Sequence, residues 1–175
     1  TRIAAVSQES FLFSESIRDN MALGTLGVGA PEGTVEACAR VAQIEEEILA
    51  LPRGYDTLLG ERGVNLSGGK KQGVAIARAL LTQPTVLILD DSTSSVDVET
   101  EIKIQDALDE LMHDRTSFVI AQRISTVLNA DQILVLDDGQ IAAQGTHEDL
   151  LASSPIYREI YESQLGNGGT AHVGA

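Results

Sequence analysis

The sequence predicts an α/β fold with a mostly parallel sheet and a helical lobe, and three observations carry that expectation. After Pro84, short apolar runs alternate with amphipathic stretches of helical period, the pattern of βαβ units. Apolar residues make up 43% of the chain while aromatics make up 3% and Trp is absent, so small aliphatic side chains fill the core, as in parallel sheets. Upstream of Pro84 the pattern is mainly helical, punctuated by Gly and Pro across 24–33 and at Pro52-Arg53-Gly54.

The elements follow in order. Residues 2–6 read as a strand that runs into the polar turn Ser7-Gln8-Glu9-Ser10. Helices are expected over 34–43, 44–51 and 67–81, the last almost continuously apolar from Val74 onward. Residues 85–89 form a short β-branched run of the kind buried on both faces. Residues 97–112 carry Ile104, Ala107, Leu108 and Leu111, the apolar stripe of an amphipathic helix. Strands are expected at 116–121 and 132–136, with a short helix over 124–128 between them. Asp137-Asp138-Gly139 is a hairpin turn leading into 140–144. Helices over 146–151 and 156–164 follow, and the Gly-rich tail 166–175 is expected to be disordered. The expected division is a sheet core from 1–13 and 85–165, a helical subdomain from 14–84, and the tail. Because a strand begins almost at Thr1, the chain reads as a piece of something longer.

Composition excludes several classes. The net charge is −14, from 12 basic and 26 acidic residues, and such a surface repels nucleic acid. The single cysteine, Cys38, rules out an internal disulfide and sits among apolar residues of an expected helix, where it reads as packing. No apolar run reaches the roughly 18 residues that span a bilayer, and no signal peptide is visible.

Two short stretches carry chemistry. In Leu66-Ser67-Gly68-Gly69-Lys70, the glycines let the backbone approach a ligand and Ser67 offers a hydroxyl. A helix start adds unpaired N–H groups and a partial positive charge, which suit a phosphate. The same residues also serve as an ordinary helix cap. Asp90 and Asp91 end the strand at 85–89. One carboxylate there can hold Mg²⁺ and its neighbour can orient or deprotonate an attacking water, although two acids can also simply end a strand.

Taken together with what flanks them, these stretches resemble the nucleotide-binding domain of ABC transporters. Leu66-Ser67-Gly68-Gly69 looks like that family's signature motif, and Val86 to Asp90 with Asp91 looks like its Walker B strand. Ser94-Ser95-Val96-Asp97 is similar to the D-loop, Val6-Ser7-Gln8-Glu9 to the Q-loop, and the stretch from Ile120 to Thr126 to the switch region. Thr57-Leu58-Leu59-Gly60-Glu61-Arg62-Gly63 is similar to the X-loop, which in the family marks exporters. The resemblance covers about residues 1 to 165, with the motifs in the family's order.

That resemblance implies a P-loop NTPase (RecA-like) core, with ATP and Mg²⁺ as cofactors and positioning and electrostatics as the source of catalysis. Under it, Gln8 touches Mg²⁺ or the attacking water, and Asp90 holds Mg²⁺ through water. Ser67 and Gly69, with Gly68 and Lys70 beside them, bind a γ-phosphate. Ser95 and Asp97 lie at the contact with a second nucleotide-binding domain. The implied partners are that second domain and a transmembrane domain upstream in the parent chain, on the cytoplasmic face of the cell membrane.

Several departures from the family pattern matter. The catalytic position is normally Glu and is Asp91 here, shorter by one methylene. The switch position is normally His and is Gln122 here, which cannot become a cation near neutral pH. Together they resemble the degenerate site of heterodimeric exporters. Lys70 stands where the family prefers Gln and Gly73 where Arg is usual, and glycine inside a helix costs roughly 1 kcal/mol relative to Ala. The Walker A pattern is absent from these 175 residues, so the chain alone is expected to bind ATP poorly and not to turn it over. Competing readings keep the fold and change the role: a translation or chromosome-associated ATPase, or a regulatory ATP-binding subunit. His147 reads as structural behind a Thr146 cap, and Arg78 and Arg123 as packing or interface residues.

Overall fold

The computed structural model describes residues 3–25, 30–31, 33–60, 66–90 and 98–166. It divides into two compact units, Thr1–Ile120 and Ala121–Ala175. Asp91, Ser95 and Asp97, the D-loop stretch, residues 61–63 of the X-loop stretch and the tail beyond Gly166 lie outside the described residues.

In the first unit, β1 (Ile3–Val6), β2 (Val86–Asp90) and β3 (Thr116–Ile120) form a parallel sheet in that order. Val6 is in register with Leu89, and Asp90 with Ile120. Side chains alternate across the sheet. Ala4, Val6, Leu87 and Leu89 point into the core, joined by Ile104, Ala107, Leu108 and Leu111 of α5 (Val98–Met112). The helical stripe read from the sequence is the buried one. The expectation that residues 85–89 are buried on both faces is corrected: Val86 and Ile88 are only half-buried, and Ile3, Phe118 and Ile120 are exposed. Among the described residues of this unit, helices cover one face of the sheet only.

The remaining helices are α1 (Ile17–Ala22), α2 (Thr34–Val41), α3 (Glu45–Leu49) and α4 (Gly68–Leu81). Helix α4 is the hub, touching α1, α2, α5 and β1 and burying Val74, Ile76, Ala77 and Leu81. Gly73 has a packing reason that propensity does not show. A Cβ there would lie 2.9 Å from Ile44 Cβ, so the glycine lets α4 press against the residue that opens α3. Cys38 is half-buried against the same core, and burial pushes its thiol pKa up.

Helix α1 was not expected from periodicity. Its start is set by Ser16, whose hydroxyl accepts from the Asp19 N–H at 3.0 Å. Just beyond α1, Gly24 is buried against α4. A Cβ at Gly24 would fall inside van der Waals contact with the Arg78 carbonyl oxygen and 2.9 Å from Leu81 Cβ. Replacing glycine lowers unfolded-chain entropy by about 0.4–1 kcal/mol, whereas overpacking costs about 1–3 kcal/mol. Gly24→Ala is therefore expected to destabilise the unit by about 1–2 kcal/mol net, read as a lower urea midpoint; an unchanged or raised midpoint refutes the clash.

The second unit holds β4 (Ile133–Asp137), β5 (Gln140–Gly145), α6 (His147–Ser153) and α7 (Pro155–Gly166). Its strands form an antiparallel hairpin. Asp138 and Gly139 take φ 45° and 76°, the left-handed pair a tight two-residue turn requires. The expected helix over 124–128 is a 3₁₀ turn, Ile124–Val127. Thr146 and Asp149 cap α6 reciprocally. His147 Nδ1 lies 2.7 Å from the hydroxyl of buried Tyr157, a packing role within this unit.

Candidate functional site

Parallel strands bring their carboxyl ends to one edge of a sheet, and ligands of open α/β sheets bind there. Because Val6 is in register with Leu89, Gln8 and Asp90 leave adjacent strands at that edge, and both are exposed. β3 ends there too, at Ile120 beside Asp90. Gln122 follows in the second unit, where it is exposed and its carbonyl accepts from Gln164 Nε2 at 2.9 Å.

The start of α4 is built differently from the other capped helices. Ser16 and Thr146 spend their hydroxyls on their own helices. Ser67 occupies the N-cap position with extended backbone, φ −64° and ψ 161°, yet makes no side-chain capping bond. Ser67 and Gly68 are exposed, while Gly69 is buried. The first turn holds no acidic residue and carries Lys70 and Lys71 just behind it. On a chain of net charge −14, this helix start is a local positive spot suited to an anion. Lys70 is half-buried and lines a narrow crevice with Ile44, Glu47, Ile48 and Leu66, so its stem packs on the α3 side of α4.

Sequence reasoning missed a polar network that ties α4 to the segment after Gln8. Asn20 is fully buried in α1. Its Oδ1 accepts from Phe13 N at 2.8 Å and Arg78 Nη2 at 3.2 Å, and its Nδ2 donates to the carbonyls of Phe13 and Ser16, both at 3.0 Å. Arg78 also donates through Nε to the Asn20 carbonyl at 2.9 Å and through Nη1 to the Phe11 carbonyl at 3.1 Å. Burial lowers the pKa of its guanidinium. Nearer the start of α4, buried Gln72 accepts from Ser10 Oγ at 2.5 Å. The sequence signal that locates α1 is the Ser16-x-x-Asp19 cap pattern. Nothing local marks Asn20.

The same segment exposes Phe11 and Phe13, stacked edge-to-face at 5.0 Å, with Leu23 nearby. They line a groove of about 680 Å³. The described part of the X-loop stretch braces this region: Leu59 N donates to Glu15 O at 3.0 Å, and Thr57 O accepts from Ile17 N at 3.1 Å.

A family model described as "ABC transporter" matches residues 1–94 of the chain. The chain belongs to the ABC transporter family. Its core is therefore that of a P-loop NTPase, and the family's ATPase domain implies that ATP is its ligand. Among ABC transporter relatives, an uncharacterised ATP-binding protein of Bacillus subtilis, YfiB, is 48% identical over 97% of this chain and 29% of its own length. The ATP-dependent lipid A-core flippase of Acinetobacter baylyi is 48% identical over 92% of this chain and 28% of its own. A solved bacterial Atm1-family ABC exporter with ATP bound superposes with a TM-score of 0.84 at 41% identity, over 99% of this chain and 29% of that one. The chain thus spans well under a third of the length of these ABC transporter relatives. Among its described residues, no helix is long and apolar enough to cross a membrane.

Proposed function

We propose that this chain is the ATP-driven segment of an ABC exporter, acting on the cytoplasmic face of the membrane. Its start of α4 serves ATP held by a second nucleotide-binding domain, while its own site is degenerate. The observation that carries this reading is the contrast between the two ends of the machinery. Ser67 keeps an uncommitted hydroxyl at an exposed helix start, whereas Asp91 and Gln122 depart from the family's catalytic pair. The export role is supported by the similarity to exporters and flippases.

Each residue then has a task. The N–H groups at the start of α4 and the Ser67 hydroxyl stabilise charge on the γ-phosphate across the dimer contact, where Ser95 and Asp97 also sit. Asp90 and Gln8, at neighbouring strand ends, fit a hard cation that takes one or two protein oxygens and the rest from phosphates and water. Among the described residues no three His, Cys, Asp or Glu converge on a metal site; in this reading Mg²⁺ shares its ligands with ATP. The division into a core of 1–13 and 85–165 and a helical lobe of 14–84 belongs to this reading. So does the Phe11, Phe13 and Leu23 groove, an apolar surface that begins three residues after Gln8 and on which an upstream transmembrane domain can seat.

The test uses the full-length polypeptide assembled with its partner. Ser67→Arg places a bulky cation over the helix start and is expected to lower total MgATP turnover at least about 10²-fold. Asp90→Asn, at the degenerate site, is expected to change total turnover less than about twofold. The reverse ranking overturns the assignment of the two sites. Equal losses favour two competent sites, and retained export with no turnover in any variant favours a regulatory subunit.

A further inference from the structure

Helix α4 does two things at once. Its first residues, Ser67 and Gly68, face solvent as the proposed phosphate site, and its later residues grip the segment that leaves Gln8. Gln72 holds Ser10 two residues after Gln8, and Arg78 holds Phe11 and Asn20. The contacts are unlike ordinary packing. Arg78 uses three nitrogens of its planar fork on three separate acceptors, at 2.9, 3.1 and 3.2 Å. Asn20 passes the grip on to Ser16 and to Phe13, which lines the apolar groove. A continuous set of hydrogen bonds therefore links the groove, the Gln8 segment and the helix that carries Ser67.

We propose that Arg78, with Gln72, is a positioning residue for ATP hydrolysis: it clamps residues 10–20 to α4, so that the Gln8 segment and the Ser67 helix start move as one body. The inference rests on the functional reading above and deepens it. Neither side chain touches nucleotide. Their effect falls on the alignment of Ser67 at the moment of reaction, and a misplacement on the order of 1 Å at such a point costs about 10²-fold in rate. Nucleotide held mainly by another loop is bound almost as before, so kcat carries the loss and KM does not.

The experiment compares Arg78→Lys with the unaltered full-length protein assembled with its partner. Lysine keeps the charge and loses the fork, so it cannot hold Phe11 and both Asn20 acceptors together. Expected are a fall in kcat of about 10²-fold with KM for MgATP within about twofold. Faster amide exchange is expected over residues 11–20, with protection within α4 retained. Ser10→Ala opens the other grip without burying a charge and is expected to lower kcat severalfold, so the test stands if the lysine variant folds poorly. Unchanged kcat in both variants, beside normal turnover of the unaltered protein, overturns the positioning role alone. Exchange that rises across the whole Thr1–Ile120 unit marks a merely structural residue and also overturns it. Absence of MgATP hydrolysis in the unaltered assembly overturns the functional reading instead.

Discussion

With Ser67→Arg already present, restoring Asp91→Glu and Gln122→His together is expected to raise the remaining MgATP turnover of the assembled dimer about 10²-fold. The background matters. If the start of α4 serves the partner's nucleotide, Ser67→Arg silences that site and leaves only the one built on Asp90, Gln8 and Gln122. Total turnover in the unaltered dimer could at most double on repair, so the effect would be lost against the partner's activity. Glutamate adds one methylene, moving the carboxylate by an amount on the order of 1 Å toward a water it must orient. Histidine adds a side chain that titrates near pH 6.5, so the repaired site also acquires a rate dependence between about pH 5 and 8 that the glutamine protein lacks. Single-turnover hydrolysis of labelled ATP checks both. If neither substitution raises the residual rate, Asp91 and Gln122 are not what limits this site.

How much of this was legible depends on whether the deciding interaction is local. The hairpin was readable because Asp138 and Gly139 carry their own turn chemistry, and the α6 cap because Thr146 and Asp149 are three residues apart. The edge holding Gln8 and Asp90 was readable because each follows a strand with a clear apolar run, and the register does the rest. Helix α1 was hidden for the opposite reason. It has six residues, and one of its three buried positions is Asn20, which breaks the apolar stripe that periodicity detects. Gly73 was legible only in part: its helix penalty is local, while its benefit comes from Ile44, far away in sequence. The partial exposure of β2 on one face could not be read from its composition, which suits a strand covered on both. For Ser67, the residues alone offered both a phosphate ligand and an ordinary cap, the commoner use of Ser-Gly-Gly before a helix. The extended backbone with no capping bond leaves the hydroxyl available to a ligand.

Asn20→Ala is expected to cost the Thr1–Ile120 unit about 2–4 kcal/mol, the largest stability loss of any single truncation argued for this chain. The size follows from what is left behind and not from the side chain removed. Alanine withdraws the acceptor of the part-buried Phe13 N–H, at 2.8 Å, and one donor to the Phe13 carbonyl, at 3.0 Å, which keeps its bond from the Glu15 N–H at 2.8 Å. The one backbone group left without a partner, the Phe13 N–H, costs about 1–3 kcal/mol. Arg78, half-buried, loses one of its three acceptors in the same step and keeps the other two. The helix itself is barely affected, since Ala is the better helix former by a few tenths of a kcal/mol. That small gain cannot offset the lost hydrogen bonds. Urea denaturation should show a clearly lower midpoint with an unchanged slope, and amide exchange at Phe13 should rise before exchange within α4 does. A loss below about 1 kcal/mol would mean that water reaches the vacated position and satisfies Phe13 and Arg78, and the network would then be a convenience of packing and not the pin that holds this segment to α4.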